Sequence, residues 1–238
     1  MKRAIVIGAT SGIGRELAKL LSENNYKVGI TGRRSELLEE LNRTNPETFV
    51  TRAFDIRKYN SIEENLKYLE KSLGGLDLLI ISSGTGKVRD DLDFENEENT
   101  ILTNALGFTY IADWAMNYFE KQKHGHLIAI SSIAGLRGNR FSPAYGATKA
   151  FQMNYLEALR ARMTHLKLPV FVTDVRPGFV DTAMAQGDNI FWVATVKKAG
   201  KQIFNAIQKK RKVVYVSKRW RIFAYVLKIL PRWIHQKI

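Results

Sequence analysis

Arg3-Ala4-Ile5-Val6-Ile7-Gly8-Ala9-Thr10-Ser11-Gly12-Ile13-Gly14-Arg15-Glu16-Leu17-Ala18-Lys19-Leu20-Leu21 is the stretch that decides the fold. Ala4 to Ile7 read as a buried strand, and from Arg15 onward the apolar positions recur with helical spacing. Between the two lies a turn with three glycines. Glycine lets the backbone turn tightly and approach an anion closely, while the free N–H groups and positive dipole of the new helix hold that anion. Strand, turn and helix together predict a pyrophosphate cradle formed by Gly8, Thr10, Ser11, Gly12, Ile13 and Gly14. The spacing Gly-x-x-x-Gly-x-Gly differs from the Gly-x-Gly-x-x-Gly fingerprint, so the flanking elements carry the reading.

Working outward, the alternation of strand and helix continues. A second strand over 27–31 is followed by Gly32-Arg33-Arg34 and a helix through Leu41. In such a unit an acid about 20 residues beyond the glycines holds the ribose 2′-OH of NAD, whereas arginine accommodates the 2′-phosphate of NADP. No acid stands there, so Arg33, with Arg34 or Arg15 assisting, argues for NADP(H). A third strand, 48–54, ends at Asp55 and Ile56, which are placed to meet the adenine edge. A helix over 58–72, a strand over 76–81 ending in Ser82-Ser83-Gly84 and a long helix over about 95–120 follow. Further on come a strand at 170–175 closed by Arg176-Pro177-Gly178, a helix over 190–209 and a last strand at 213–216. This order predicts an α/β protein with a Rossmann-type, doubly wound parallel sheet and right-handed crossovers. Gly8, Gly32, Asp55, Ser82, Ser132 and Pro177 all follow the carboxyl ends of strands, the edge where ligands bind in this architecture.

The chemistry is expected between residues 128 and 149. The apolar run 127–130 is a strand ending at Ser131 and Ser132, and Pro143 suits the first turn of the helix that carries Tyr145 and Lys149. Residues four apart share a helix face, so the Lys149 ammonium can approach the Tyr145 phenol and favour its ionised form. Such a tyrosine can supply the proton that a carbonyl oxygen needs as hydride arrives at carbon. Ser132 can hold the same oxygen, and Ser131, its neighbour on the strand, points to the opposite side. Tyr-x-x-x-Lys alone is common on amphipathic helices. Here it is joined by Ser132 thirteen residues earlier and by the N-terminal glycine turn.

Taken together, the Gly8 to Gly14 loop, Asp55, Asn104, Ser132 with Tyr145 and Lys149, and Pro177-Gly178 resemble the classical short-chain dehydrogenase/reductase family over residues 3–216. The resemblance implies that Tyr145 is the general acid/base and that Ser132 positions the carbonyl. It also implies that Lys149 binds the nicotinamide ribose and tunes Tyr145, while Asn104 supports Lys149 through water. Val180 and Thr182 would contact the nicotinamide end, and Gly84 is retained from the family's Asn-Asn-Ala-Gly, whose other positions are Ile81, Ser82 and Ser83 here. Serine is shorter than asparagine and bonds fewer groups, which leaves the support of that edge open. A homodimer or homotetramer, with the helices of Asn104 and Tyr145 at an interface, is a further implication.

Composition sets the bounds. The 238 residues suffice for one α/β domain, and the absence of cysteine excludes disulfides, thiolate nucleophiles and Cys-ligated metals. The four histidines have no metal-ligand spacing. No run of eighteen apolar residues spans a bilayer, and the N-terminal apolar run is too short for a signal peptide, so a cytoplasmic protein is expected. The net charge is +14, and from Lys197 to Ile238 there are thirteen Lys or Arg and no Asp or Glu. We divide the chain into a catalytic domain, 1–216, and a basic, aromatic C-terminal tail, 217–238. In the tail Trp220, Phe223, Tyr225 and Trp233 interleave with cations, as at a lipid interface with anionic headgroups. Packing of the tail over its own domain or a partner subunit is the competing reading. Nucleic-acid binding is not expected, because no nucleic-acid motif accompanies the charge. A membrane-facing tail favours an apolar or lipid-linked substrate over other small carbonyls or alcohols. The segment 179–192, with Met184, Phe191 and Trp192 around Gly187, is expected to form a flap over it.

Overall fold

The computed structural model describes residues 1–89, 91–184 and 191–235. Seven strands form one sheet: β1 (Lys2–Ile7), β2 (Tyr26–Gly32), β3 (Phe49–Ala53), β4 (Leu78–Ile81), β5 (Gly125–Ile130), β6 (Val170–Pro177) and β7 (Val213–Val216). Their order is β3-β2-β1-β4-β5-β6-β7 and every pairing is parallel. The order reverses between β1 and β4, the topological switch point at which doubly wound sheets open a crevice for ligands. The predicted Rossmann-type sheet in a single domain is therefore what forms.

Both faces of the sheet are covered, as the near-continuous apolar strands require. On one face pack α1 (Gly12–Ser22), α2 (Ser35–Asn42) and α7 (Val196–Gln208) through Leu17, Leu21, Leu38, Leu41 and Ile203. On the other lie α3 (Ile62–Leu73), α5 (Phe108–Gln122) and α6 (Pro143–His165) through Leu66, Leu69, Phe108, Phe119 and Leu156. Each buried aliphatic side chain contributes roughly 1.5–3 kcal/mol relative to exposure, so these two layers hold the strand ends in register.

Three expected elements differ. The long helix over 95–120 is two helices, α4 (Phe94–Ile101) and α5, joined by a π-helical stretch at Leu102–Gly107. The helix expected over 190–209 starts at Val196, because the Thr195 hydroxyl accepts from Lys198 N–H and caps it. Ahead of it Ala194 forms a β-bridge to Val180. In the tail, α8 (Arg219–Ile229) and α9 (Arg232–His235) follow β7. Trp220, expected at a lipid interface, is 1% exposed. It packs among Phe179, Phe191, Trp192 and Phe223, so it cannot face lipid. Of the expected flap, residues 185–190 with Gly187 lie outside the described residues.

Candidate active site

A cleft of about 1290 Å³ runs along the carboxyl ends of β1, β2, β4, β5 and β6. Its floor is the glycine turn. Gly8 (φ +88°) and Gly12 (φ +56°) adopt left-handed conformations that favour glycine, and a Cβ on Gly14 would lie 2.1 Å from the Gly8 carbonyl oxygen. Gly8 in turn sits against the Ser83 backbone, where a Cβ would lie 2.6 Å from its nitrogen. Three bare positions thus press the turn onto the β4 edge and expose its N–H groups at the start of α1. Thr10, Ser11 and Ile13 line the same wall.

Arg33 and Arg34 follow β2 and line the cleft. Arg34 Nη2 donates to the hydroxyls of Thr10 (2.7 Å) and Ser11 (2.9 Å), so a guanidinium is already docked on the phosphate turn. Arg15 does not assist: it pairs with Glu40 at 2.6 Å and lies off the cleft. Asp55 lines the cleft as expected, but its carboxylate is held by Arg57 at 2.5 Å. Burial pushes the Asp55 carboxyl up, yet the Arg57 hydrogen bonds and charge outweigh it and hold the group below its ordinary range. Ile56 is buried, and Gly107 packs so closely on its carbonyl that a Cβ there would lie 2.5 Å away. Ser82, Gly84, Pro177, Gly178, Val180 and Thr182 line the remainder of the cleft. The Thr182 methyl lies against Gly12, where a Cβ would meet it at 3.1 Å.

Beyond β5, Ser132 caps a short 3-10 turn by accepting from Ala134 N–H. Ser132 and Tyr145 line the same part of the cleft. Ser131 turns to the other side, donating to Asp174 (2.5 Å) and the Val175 carbonyl. Tyr145 stands in the first turn of α6, whose start is fixed by Pro143 and by Glu97, a carboxylate on α4 that accepts from Ala144 N–H at 2.8 Å. Lys149, one turn on, is buried, with Nζ 5.7 Å from the centre of the Tyr145 ring.

The electrostatics differ from the sequence expectation. Burial pushes the Tyr145 phenol up, and Ser132 only partly offsets it. The expected lowering by Lys149 is not found, because that ammonium is turned away: it donates to the Ile130 carbonyl (2.9 Å) and Gln152 Oε1 (3.0 Å). Burial lowers Lys149 itself to about 8, against the opposing charge of Asp174.

Asn104 is wholly buried in the π-helical stretch, a backbone form that recurs at functional sites. Its side-chain amide clamps the backbone of Thr85, accepting from N–H (2.9 Å) and donating to the carbonyl (2.7 Å). That clamp supports the β4 edge one residue past Gly84. The Ser83 hydroxyl, by contrast, is buried without a partner among the described residues. The link from Asn104 to Lys149 passes through a residue that sequence reasoning missed. Gln152 Nε2 donates to the Asn104 carbonyl (2.8 Å), while its Oε1 accepts from Lys149. One turn beyond Tyr-x-x-x-Lys, on the same helix face, Gln152 was findable only as a polar residue at a buried position. Arg57 and Glu97 were also missed, since each acts by reaching a second element.

A nicotinamide dinucleotide fits this cleft: the bare glycine turn admits a pyrophosphate, Arg33 and Arg34 suit a 2′-phosphate, and Lys149 lines the cleft together with Tyr145.

Comparison with known proteins agrees with the geometry. An uncharacterized oxidoreductase of Staphylococcus aureus (strain USA300) is 34% identical over 191 residues, covering 79% of this chain and 82% of its own. Serine dehydrogenase from Escherichia coli matches with 32% identity and a TM-score of 0.69, over 74% of this chain and 82% of its own. A closed form of serine dehydrogenase complexed with NADP+ superposes with a TM-score of 0.82 at 26% identity, over 90% of this chain and 94% of its own. The short chain dehydrogenase model matches residues 2–191, which hold the glycine turn, Asn104, Ser132, Tyr145 and Lys149. With four fifths of the sequence, the sheet order and the cleft all in agreement, this chain belongs to the short chain dehydrogenase family.

Proposed function

We propose that the protein is an NADP(H)-dependent oxidoreductase that interconverts a carbonyl and a secondary alcohol. The observation that carries this reading is that Ser132, Tyr145 and a buried Lys149 line the same cleft as the glycine turn. When bound, the dinucleotide supplies or accepts the hydride. Ser132 holds the substrate oxygen, and the Tyr145 phenol gives it a proton in reduction and takes one back in oxidation. The raised pKa keeps that phenol protonated at neutral pH, ready for reduction. Lys149 orients the ribose and places a positive charge near the oxygen as negative charge develops there. Asn104 and Gln152 position the lysine.

The substrate is an apolar or lipid-linked carbonyl or alcohol. Support comes from Phe223, Val226, Leu227 and Leu230 in and just after α8, which line the substrate half of the cleft together with Phe179 and Met184. The outer side of α8 exposes Ile222, Tyr225 and Ile229 between cations, which suits an anionic membrane surface. No helix among the described residues is long and apolar enough to cross a membrane. Exposed Ile101, Leu106 and Phe151, on the elements of Asn104 and Tyr145, fit a homodimer or homotetramer interface.

The test is NADPH oxidation over a panel of aliphatic ketones and aldehydes, with fluorescence titration of NADPH, on wild type and Tyr145→Phe. We expect the variant to retain NADPH affinity and lose roughly 10²- to 10⁴-fold in turnover. Undiminished turnover in Tyr145→Phe, or no binding of either NADPH or NADH by the wild type, overturns the reading.

A further inference from the structure

The arginines lining the cleft fall into two groups. Arg33 and Arg34 follow β2, beside the phosphate turn, whereas Arg137 and Arg140 follow β5, three strand positions away, or roughly 14 Å at ordinary strand spacing. The first group is accounted for by a dinucleotide. The second is not.

Arg137 is the informative member. Its Nη2 donates to the Leu230 carbonyl just past the end of α8, and that tether fixes the guanidinium in the substrate half of the cleft. Its Nε is buried and has no hydrogen-bond partner among the described residues. A buried donor left unpaired is costly, and guanidinium is the side chain best matched to carboxylate and phosphate oxygens. Among the described residues lining the cleft the acid is Asp55, at the far end and already paired with Arg57. The tail side chains that line the same cleft, Phe223, Val226, Leu227 and Leu230, are apolar and strengthen any charge pairing made beside them.

We propose that Arg137 is a specificity-determining residue that binds an anionic oxygen group, carboxylate or phosphate, on the substrate, which is therefore an anionic amphiphile. This deepens the reductase reading and rests on it. The apolar chain lies along α8, the carbonyl reaches Ser132 and Tyr145, and the anionic group sits on Arg137, apart from the phosphates of the dinucleotide.

The test uses decanoate, decyl phosphate and decanol as binding probes, titrated by calorimetry with and without NADPH. We expect the wild type to bind decanoate or decyl phosphate about tenfold or more tighter than decanol, the worth of one charged hydrogen bond. Whichever anion is preferred identifies the group. In Arg137→Met the preference should vanish while decanol and NADPH affinities stay as in the wild type. Arg137→Lys, which keeps a charge without the planar fork, should retain part of the preference, and it serves as the folded comparison if the methionine variant is unstable. Equal binding of the anions and decanol by the wild type, or an unchanged preference in either variant, overturns the proposal. Because these probes are read without turnover, that result is distinct from a failure to bind NADPH, which would instead sink the reductase reading.

Discussion

Burial shifts Lys149 and Tyr145 in opposite directions. The lysine is lowered to about 8 and the phenol is raised, so near neutral pH the first is charged and the second protonated. As pH rises through about 8 the ammonium loses its proton, and the reductive kcat/KM should fall with it. Gln152 is the lever on this limb, because its Oε1 accepts a hydrogen bond from the charged form of Lys149. Gln152→Leu removes that acceptor, so the limb moves to lower pH. A loss in kcat/KM of about 2- to 15-fold at pH 7 is expected, given roughly 1.5–3 kcal/mol for a hydrogen bond to a charged group. Gln152→Glu adds a facing negative charge, so the limb moves to higher pH. A pH–rate profile on the three proteins decides it: if both variants share the wild-type limb, Gln152 only packs α6 against the Asn104 turn.

At the scale of elements, the parallel order was legible wherever one element announced itself by period. Ala4 to Ile7, the glycine turn and the apolar spacing of α1 are contiguous, and so are the strand ends that carry Ser132 and Pro177. What could not be read depended on contact between elements. The π-helical stretch is marked by Asn104 reaching Thr85 and by Gly107 meeting Ile56, neither visible in a local period. The pairing of Asp55, expected at the adenine edge, with Arg57 was not legible because Arg57 folds back on it only in three dimensions. The start of α7 was set early because the bridge of Ala194 to Val180 holds that segment extended. The approach of α1 to β1 makes a quantitative prediction. Gly14→Ala would set a methyl 2.1 Å from the Gly8 carbonyl oxygen, a backbone atom that cannot swing aside. We expect a stability loss of about 1–3 kcal/mol, read by thermal unfolding, together with weakened NADPH binding. Gly138→Ala, where an added Cβ meets nothing within 4 Å, is the control and should be near neutral. Equal behaviour of the two would mean the turn relaxes and the close packing is not required.

For the molecule as a whole, the question is why a net charge of +14 gathers toward one end. α8 faces two ways. Trp220 and Ala224 are buried, and Phe223 and Leu227 roof the cleft, whereas Ile222, Tyr225 and Ile229 are exposed, Ile229 at 81%. Deleting the tail after Ser217 is therefore a poor test, since it strips Trp220 from Gly178, where even a Cβ would lie 2.1 Å from the indole. Substituting the outer face alone is cleaner, and Ile222→Ser with Tyr225→Ser and Ile229→Ser leaves the packed side intact. Each lysine or arginine near an anionic leaflet is worth roughly 1 kcal/mol, and the attraction fades within a Debye length of about 10 Å at 0.1 M salt. On the proposed membrane reading, charge brings the protein to the surface and the apolar side chains hold it there. The wild type should then float with vesicles rich in phosphatidylglycerol and stay behind with pure phosphatidylcholine. The triple variant should bind weakly, and high salt should release the wild type. Flotation that ignores lipid charge, or a triple variant that floats as well as the wild type, would leave the outer face of α8 free for another chain of this protein instead.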